Sequence, residues 1–339
     1  MNATINLEKN HFPVLLNELI SIISPLYGGT FIDCTLGQGG YSKEILKTKS
    51  NKVIALDRDP DVFEIAKKIE KQNKERFIFF NSKFSEIDKL NIKNNNLKAV
   101  IFDLGYSLNQ ILDFKKGLSF QSTGKLDMRL GLNHFSCDEV ISNISEKNLN
   151  KIFKIFGEEK NSKLIAKRIV QNRNKKKLKT EDLVKIVSEI KKYKFSRTNP
   201  STKIFQALRI YINKEISELI NGLIYSFKIL PIGGMIVVVT FHSIEDKIVK
   251  FFFKNYSDKK NSSRYAPSII TNNCLKLKNN KPIIPSEDEI KINPASRSAK
   301  LRYAIKTDEN DNFDELHEKF NYLIETENLN YNSWKNLFY

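Results

Sequence analysis

The chain has 339 residues, too many for one small module and enough for one large domain or two ordinary ones. Its 40% hydrophobic and 11% aromatic content supports a packed core, which excludes wholesale disorder. Lys and Arg number 56 against 39 Asp and Glu, a formal charge of +17 that points to an anionic partner, although a chain this rich in Lys, Asn and Ile acquires such a charge from AT-rich coding as well.

From the N-terminus, Thr30 to Thr35 reads as a short buried strand stopping at the turn Gly37-Gln-Gly-Gly40, with a helix from Tyr41 through Leu46. Lys52 to Asp57 is a second strand. Val62, Ile65, Ala66 and Ile69 then repeat at helical spacing. Arg76 to Phe80 and Lys98 to Asp103 read as strands three and four. Continuous apolar strands alternating with helices predict a parallel α/β sheet covered on both faces. The fifth strand, Gly234 to Phe241, comes only 130 residues after residue 104, whereas a βαβ unit needs about 30. An insertion is therefore expected over residues 112–203, helical from the spacing of its apolar residues. Phe205, Leu208, Ile212, Ile216, Leu219, Ile220, Leu223 and Phe227 form one stripe, expected to be a single crossover helix. The lysine-rich run from Arg173 to Lys177 reads more readily as a solvated loop than as an RNA-facing patch. The segment ending at Ile305 is a late strand, and the tail beyond it a surface helix around Phe320, Leu323 and Ile324. The expected division is thus a core domain over 1–111 and 204–306, the insertion at 112–203, and a tail at 307–339.

The three cysteines, Cys34, Cys137 and Cys274, lie far apart, with no zinc-site spacing and no disulfide framework, and no motif calls for a metal. Glu8, Lys9, Glu18 and Pro25 argue against a signal peptide. The apolar run from Ile229 to Ile244 is too short and too broken by Pro and Gly-Gly to cross a membrane. A soluble protein of the reducing cytoplasm, with no membrane partner, is expected.

The strongest chemical signal is strand, Gly-rich turn and helix over residues 30–46, with an acid closing the next strand. Gly37, Gly39 and Gly40 let backbone approach a ligand closely, and the helix start offers unpaired amides. Asp57 is placed to accept hydrogen bonds from a ribose diol, with Asp33 nearby. A dinucleotide and S-adenosylmethionine both fit, but Ser42 stands where a dinucleotide site has its third glycine. Asp103 closes strand four and faces the crevice at the carboxyl edge of the sheet. Phe84 and Gln110 follow strands three and four and could flank an adenine, though a lone Phe is usually core. His242 ends strand five, either at the mouth of the crevice or as a buried histidine satisfied by backbone, while Ser243 with Asp246 reads as a capping box. Asp127 and Arg129 form either a structural ion pair or a clamp over the site.

Nine segments occur in a telling order: His11-Phe-Pro-Val-Leu-Leu-Asn-Glu18, Asp33-Cys-Thr-Leu-Gly-Gln-Gly-Gly40, Ala55-Leu-Asp-Arg-Asp-Pro60, Asp103-Leu-Gly-Tyr-Ser107, Gly117-Leu-Ser-Phe120, Leu126-Asp-Met-Arg129, Phe205-Gln-Ala-Leu-Arg-Ile210, Phe241-His-Ser-Ile-Glu-Asp246 and Asn293-Pro-Ala-Ser-Arg-Ser298. Together, from about His11 to Ile305, they resemble the bacterial ribosomal RNA small-subunit methyltransferase H family, also called MraW. The resemblance implies a class I S-adenosylmethionine-dependent methyltransferase, Rossmann-like with an inserted all-helical domain for substrate recognition. It also implies methyl transfer to the N4 amine of one cytidine in the decoding region of small-subunit rRNA, the RNA being presented within an assembled or nearly assembled subunit. By motif match the cofactor contacts fall on Gly39, Gly40, Tyr41, Asp57, Phe84, Asp103 and Gln110. Four departures stand out: Tyr41 for the usual histidine, Leu108-Asn109 for Ser-Pro, Lys116-Gly-Leu118 for Arg-Gly-Phe, and Thr123 and Lys125 for Asp and Pro. Asp103 and His242 are the candidates to polarise the amine, and Arg129, Arg297 and Arg302 to hold phosphates. A nucleotide-dependent oxidoreductase and a non-catalytic ribosome-assembly protein with a degenerate cofactor pocket are the competing readings.

Overall fold

Runs of β-branched and aromatic residues, each closing on Asp or Asn, form the first four strands: β1 (Gly29–Asp33), β2 (Asn51–Asp57), β3 (Phe77–Asn81) and β4 (Leu97–Asp103). The computed structural model describes residues 13–92, 96–106, 110, 116–122, 124–131, 135–191, 199–257 and 273–330. Helix α1 (Leu16–Ile23) precedes the sheet, α2 (Gly40–Leu46) joins β1 to β2, and α3 (Phe63–Asn73) joins β2 to β3. After β4 come α4 (Cys137–Asn143), α5 (Glu146–Ile155), α6 (Ser162–Arg173), α7 (Thr180–Lys191), α8 (Thr202–Asn213) and α9 (Glu215–Ile229). The chain then makes β5 (Met235–Thr240), α10 (Ser243–Asn255), β6 (Leu275–Leu277), α11 (Glu287–Ile292), β7 (Lys300–Lys306) and α12 (Asp314–Glu327).

The strand order is β3-β2-β1-β4-β5-β7-β6. Neighbours from β3 to β5 run parallel, and β7 is antiparallel to both β5 and β6. This is the class I methyltransferase sheet that the resemblance implied. The direction of winding reverses between β1 and β4, the switch point where open α/β sheets bind ligands. All five residues of β1 are buried because both faces are covered, which explains why the strands read as continuous apolar runs rather than alternating ones. On one face Phe31, Val53, Ala99, Ile101, Val237 and Val239 pack into a single core with side chains of the first three helices.

The chain divides into two compact units, 1–105 with 224–312 and 106–223 with 313–339. These bounds differ from the expected ones at three places. The expected crossover helix is two helices, broken at Lys214, whose φ of 54° no α-helix accommodates. Residues 204–223 belong with the helical unit rather than the sheet. The tail is no mere surface helix either: Leu316, Phe320 and Leu323 of α12 are buried, each contributing about 1.5–3 kcal/mol, and the helix packs on α5 and α8. Strand β6 was unforeseen; it pairs with β7 at the sheet edge.

Candidate functional site at the carboxyl edge of the sheet

The register fixes the geometry. Asp33 pairs with Ala55 of β2 and Ile101 of β4, so Asp57 and Asp103 stand two residues further on, flanking the turn that leaves β1. That turn is tied to both neighbours: the Leu36 amide donates to Leu56 O and the Cys34 amide to Ile101 O, both at 2.9 Å. Thr35 Oγ1 accepts from the Asp103 amide at 2.8 Å. Gly39 takes φ 73° as the residue before α2, a conformation that favours glycine. A Cβ on Gly40 would stand 2.0 Å from Pro13 Cγ, so the Pro13 segment closes directly over the turn.

Three carboxylates converge here. Asp33 is fully buried, its Oδ2 accepting from Ser42 Oγ at 2.6 Å and its Oδ1 from the Thr35 amide at 3.2 Å. Asp57 accepts from the Gly37 amide through Oδ2 and from the Asp59 amide through Oδ1, each at 2.9 Å. Asp103 Oδ1 is buried and has no hydrogen-bond partner among the described residues. Burial is the main reason all three carboxyls titrate high. Asp57 is pushed up to about 6, against the pull of the Asp59 and Gly37 amides. Asp103 reaches about 7, with the charge of Asp33 adding to burial and the Gly105 amide opposing. Asp33 is raised as well, by burial. The charges that push Asp57 and Asp103 up are other carboxylates: Asp59 and Asp33 on the first, Asp33 and Glu245 on the second. Such a cluster fits a ligand that brings a positive charge and hydroxyl donors, and fits an anionic pyrophosphate poorly.

Other expected residues are placed as follows. Phe84, half-buried after β3, meets Phe102 of β4 edge to face with centroids 5.3 Å apart, leaving part of its ring open. The Tyr41 ring is buried in the core, and its hydroxyl donates to the Val14 carbonyl. Any ligand contact from Tyr41 therefore falls to its backbone amide in the first turn of α2. Tyr41→Phe removes one buried hydrogen bond and leaves the Val14 carbonyl unpaired, a loss of about 1–3 kcal/mol in denaturant unfolding with cofactor affinity within twofold of wild type. Gln110 belongs to the second unit. Leu108-Asn109 and Thr123 lie outside the described residues, as does His11.

His242 is the N-cap of α10, the role expected of Ser243. Its Nδ1 accepts from the Glu245 amide at 3.4 Å, and Glu245 Oε2 accepts in return from the amides of Phe241 at 2.8 Å and His242 at 3.2 Å. Nε2 stands 3.0 Å from Glu245 Oε1. Nδ1 thus caps the helix's own first turn, which makes the ring a capping group. Asn caps helices by the same geometry, so His242→Asn is expected to retain the unfolding free energy within about 1 kcal/mol and turnover within tenfold; His242→Ala loses about 0.5–2 kcal/mol. Glu245, unforeseen, also presses on Asp103 by its charge.

The three arginines expected to hold phosphates divide. Arg302 of β7 is 9% exposed, with Nε 2.7 Å from Asp246 Oδ1 and Nη1 3.3 Å from Asn280 O. It is a buried structural cation, and the expectation that it holds RNA is corrected. Arg129 pairs with Asp127 through two bonds, Nε–Oδ1 at 2.7 Å and Nη2–Oδ2 at 2.9 Å. Arg297 is exposed. The lysine-rich run is also mostly engaged: Arg173 donates to the carbonyls of Ile141 and Ile144, Lys176 pairs with Asp182, and Lys177 with Asp138.

In the second unit, three of the quoted motifs meet. Tyr106 donates to Glu215 Oε1 at 2.6 Å while the Arg209 guanidinium lies 4.1 Å from its ring centre. Arg209 Nε reaches the same carboxylate at 3.0 Å. Asn213 Nδ2 donates to Met128 O at 2.9 Å, and Asn213 Oδ1 accepts from the Leu130 amide at 2.9 Å. The motifs around residues 106, 128 and 209 are thus one polar scaffold.

The chain matches the model of the MraW methylase family over residues 8–307. A protein of Orientia tsutsugamushi (strain Ikeda) called ribosomal RNA small subunit methyltransferase H is 40% identical over 308 residues, covering 88% of this chain and 99% of that one. Its namesake in Rickettsia africae (strain ESF-5) is 40% identical over 301 residues, 87% of this chain and 98% of that one. A solved putative methyltransferase from Streptococcus mutans in complex with SAH aligns over 85% of this chain and 97% of its own, at 12% identity and a TM-score of 0.37, a likeness too slight to carry an argument. The sequence match over nearly the whole length shows that the chain belongs to the MraW methylase family.

Proposed function

We propose that this protein transfers a methyl group from S-adenosylmethionine to the N4 amine of a cytidine in small-subunit rRNA. The observation that carries the reading is the buried, unpartnered Asp103 Oδ1 in a carboxylate cluster that lacks a cation among the described residues. Bound, S-adenosylmethionine supplies a methyl activated by a sulfonium charge. Asp57 would hold the ribose hydroxyls on the lone pairs that its two amide bonds leave open. Phe84 would stack on the adenine, and the backbone of Gly39, Gly40 and Tyr41 would line the turn. Gln110 remains a proposed contact by motif match alone.

The amine of cytosine is a weak nucleophile because its lone pair is delocalised into the ring. An acceptor that takes a hydrogen bond from the amine localises that pair on nitrogen. Asp103 Oδ1 is the acceptor this geometry favours, and the proton released when the nitrogen gains its fourth bond passes to the same oxygen or to water. His242 acts in this account only by fixing the start of α10. Selecting one cytidine requires taking it out of its stack, which suits a folded RNA substrate read by shape. A non-catalytic reading loses its main support here, because Tyr41 keeps the turn intact by bonding to Val14.

The test compares S-adenosylmethionine with its neutral-sulfur product, S-adenosylhomocysteine, by calorimetry from pH 5.5 to 8. The cluster ionises through about 6 and about 7, so the preference for the sulfonium should rise across that range by about tenfold per pKa unit that the cation pulls back. A preference that stays flat with pH removes the electrostatic argument. Binding of NAD(P) instead of either compound restores the oxidoreductase reading.

A further inference from the structure

We propose that the outer face of α6 (Ser162–Arg173) grips the phosphate backbone of small-subunit rRNA; this rests on the methyltransferase reading above. The helix contains no Asp or Glu among its twelve residues. Ile165, Ala166 and Ile169 are buried, which turns Lys163, Lys167 and Arg168 outward together. Lys163 and Lys167 stand one turn apart, about 6 Å along the axis. The neighbouring ion pairs use Lys176, Lys177 and Lys191, and among the described residues leave these three cations out.

A lysine face is ordinarily just a solvated one. What distinguishes α6 is where the opposite charge lies in the same unit. Helix α12 (Asp314–Glu327) exposes Asp314, Glu315, Glu318 and Glu325 with Lys319 as its one exposed Lys or Arg. Both α6 and α12 pack on α5 (Glu146–Ile155), so one scaffold helix carries a basic helix and an acidic one. The resulting field draws a polyanion to α6 and repels it from α12. Phosphate grip at α6 gives register without reading sequence, which leaves selection of the cytidine to the site at the sheet edge.

The test is a triple variant, Lys163→Gln, Lys167→Gln and Arg168→Gln, beside an equal charge change on the sheet unit, Lys67→Gln, Lys68→Gln and Lys71→Gln on α3. Binding to a small-subunit rRNA fragment is followed against salt, and KM and kcat for methylation of small subunits are measured separately. Each lost phosphate contact lowers the salt slope by about 0.7–0.9, so the α6 variant should lose about 2 from the slope and show KM raised roughly tenfold with kcat and the thermal midpoint unchanged. The α3 variant should lose less than half as much. Equal losses in both variants mean net charge alone acts, and overturn the proposal. So does an α6 variant with wild-type KM and slope, or one whose loss lies in kcat or folding. A wild-type protein that binds the RNA with these differences yet methylates nothing contradicts the reading of the reaction and not the docking face.

Discussion

Asp103→Asn is expected to slow methyl transfer by about 10²- to 10⁴-fold while leaving the protein as stable as wild type or more so. The two halves of this result have one origin. Burial and the neighbouring Asp33 lift the Asp103 carboxyl to about 7, above the ordinary carboxylate value. In the ligand-free protein its charge is therefore disfavoured by folding. The penalty is absent below about pH 4, grows as pH rises, and is complete above about 7. Asn removes that penalty and retains the side-chain shape, but it cannot take a proton and offers a weaker acceptor to the amine. For the wild type at saturating cofactor, single-turnover rates should rise with pH and level below about 7, because the bound sulfonium draws the Asp103 carboxyl down from its ligand-free value as the acceptor ionises. The Asn variant should lose that inflection along with its rate. Single-turnover kinetics at saturating cofactor, with thermal melts at the same pH values, check both halves. A wild-type rate in the Asn variant, or an unchanged inflection, would contradict the role.

The second large effect concerns stability. Asp246 sits between Lys300 Nζ at 2.8 Å and Arg302 Nε at 2.7 Å, tying the first turn of α10 to β7. Its carboxyl is held below the usual range by those two cations, against the opposing effect of burial. Asp246→Ala leaves a buried guanidinium without its counter-charge and should cost about 3–5 kcal/mol in denaturant unfolding. Adding Arg302→Met should recover most of that loss, because the apolar side chain no longer needs a partner. With the carboxyl depressed in the folded state, the pair's contribution is present above about pH 4 and is lost as pH falls below it. The wild type should therefore show a steeper acid limb than the double variant. RNA affinity in the double variant should match wild type, since Arg302 is committed inside the fold. A large loss of RNA binding with intact stability would return Arg302 to the substrate.

The fold of the sheet unit was legible because burial on both faces leaves strands as unbroken apolar runs, and Asp33, Asp57 and Asp103 mark where those runs end. Position at a strand end also made Asp57 and Asp103 visible as site candidates. What stayed hidden depends on partners distant in sequence. The break at Lys214 follows from Glu327, whose carboxylate accepts from the Ile216 amide at 2.7 Å and the Ser217 amide at 2.9 Å, more than a hundred residues away. No local pattern announces that cap, so eight apolar residues looked like one helix. Arg302 looked like a surface cation because nothing near it in sequence shows that Asp246 lies 56 residues back and beside it. His242 was left between the crevice mouth and a buried histidine satisfied by backbone because histidine is a rare helix cap, and the Glu three positions on was the missed signal. Strand β6 spans three residues at a sheet edge, too few to show a period.

The acceptor atom proposed for the methyl group is a cytosine amine in small-subunit rRNA. Purified protein with methyl-labelled S-adenosylmethionine is offered small subunits lacking the modification, and the RNA is then digested and its labelled nucleoside identified by mass spectrometry. The expected result is label in N4-methylcytidine, at one position, and its loss in the Asp103→Asn variant. Label in any other nucleoside, or a labelled cytidine bearing the methyl on carbon or on the ribose, would contradict it.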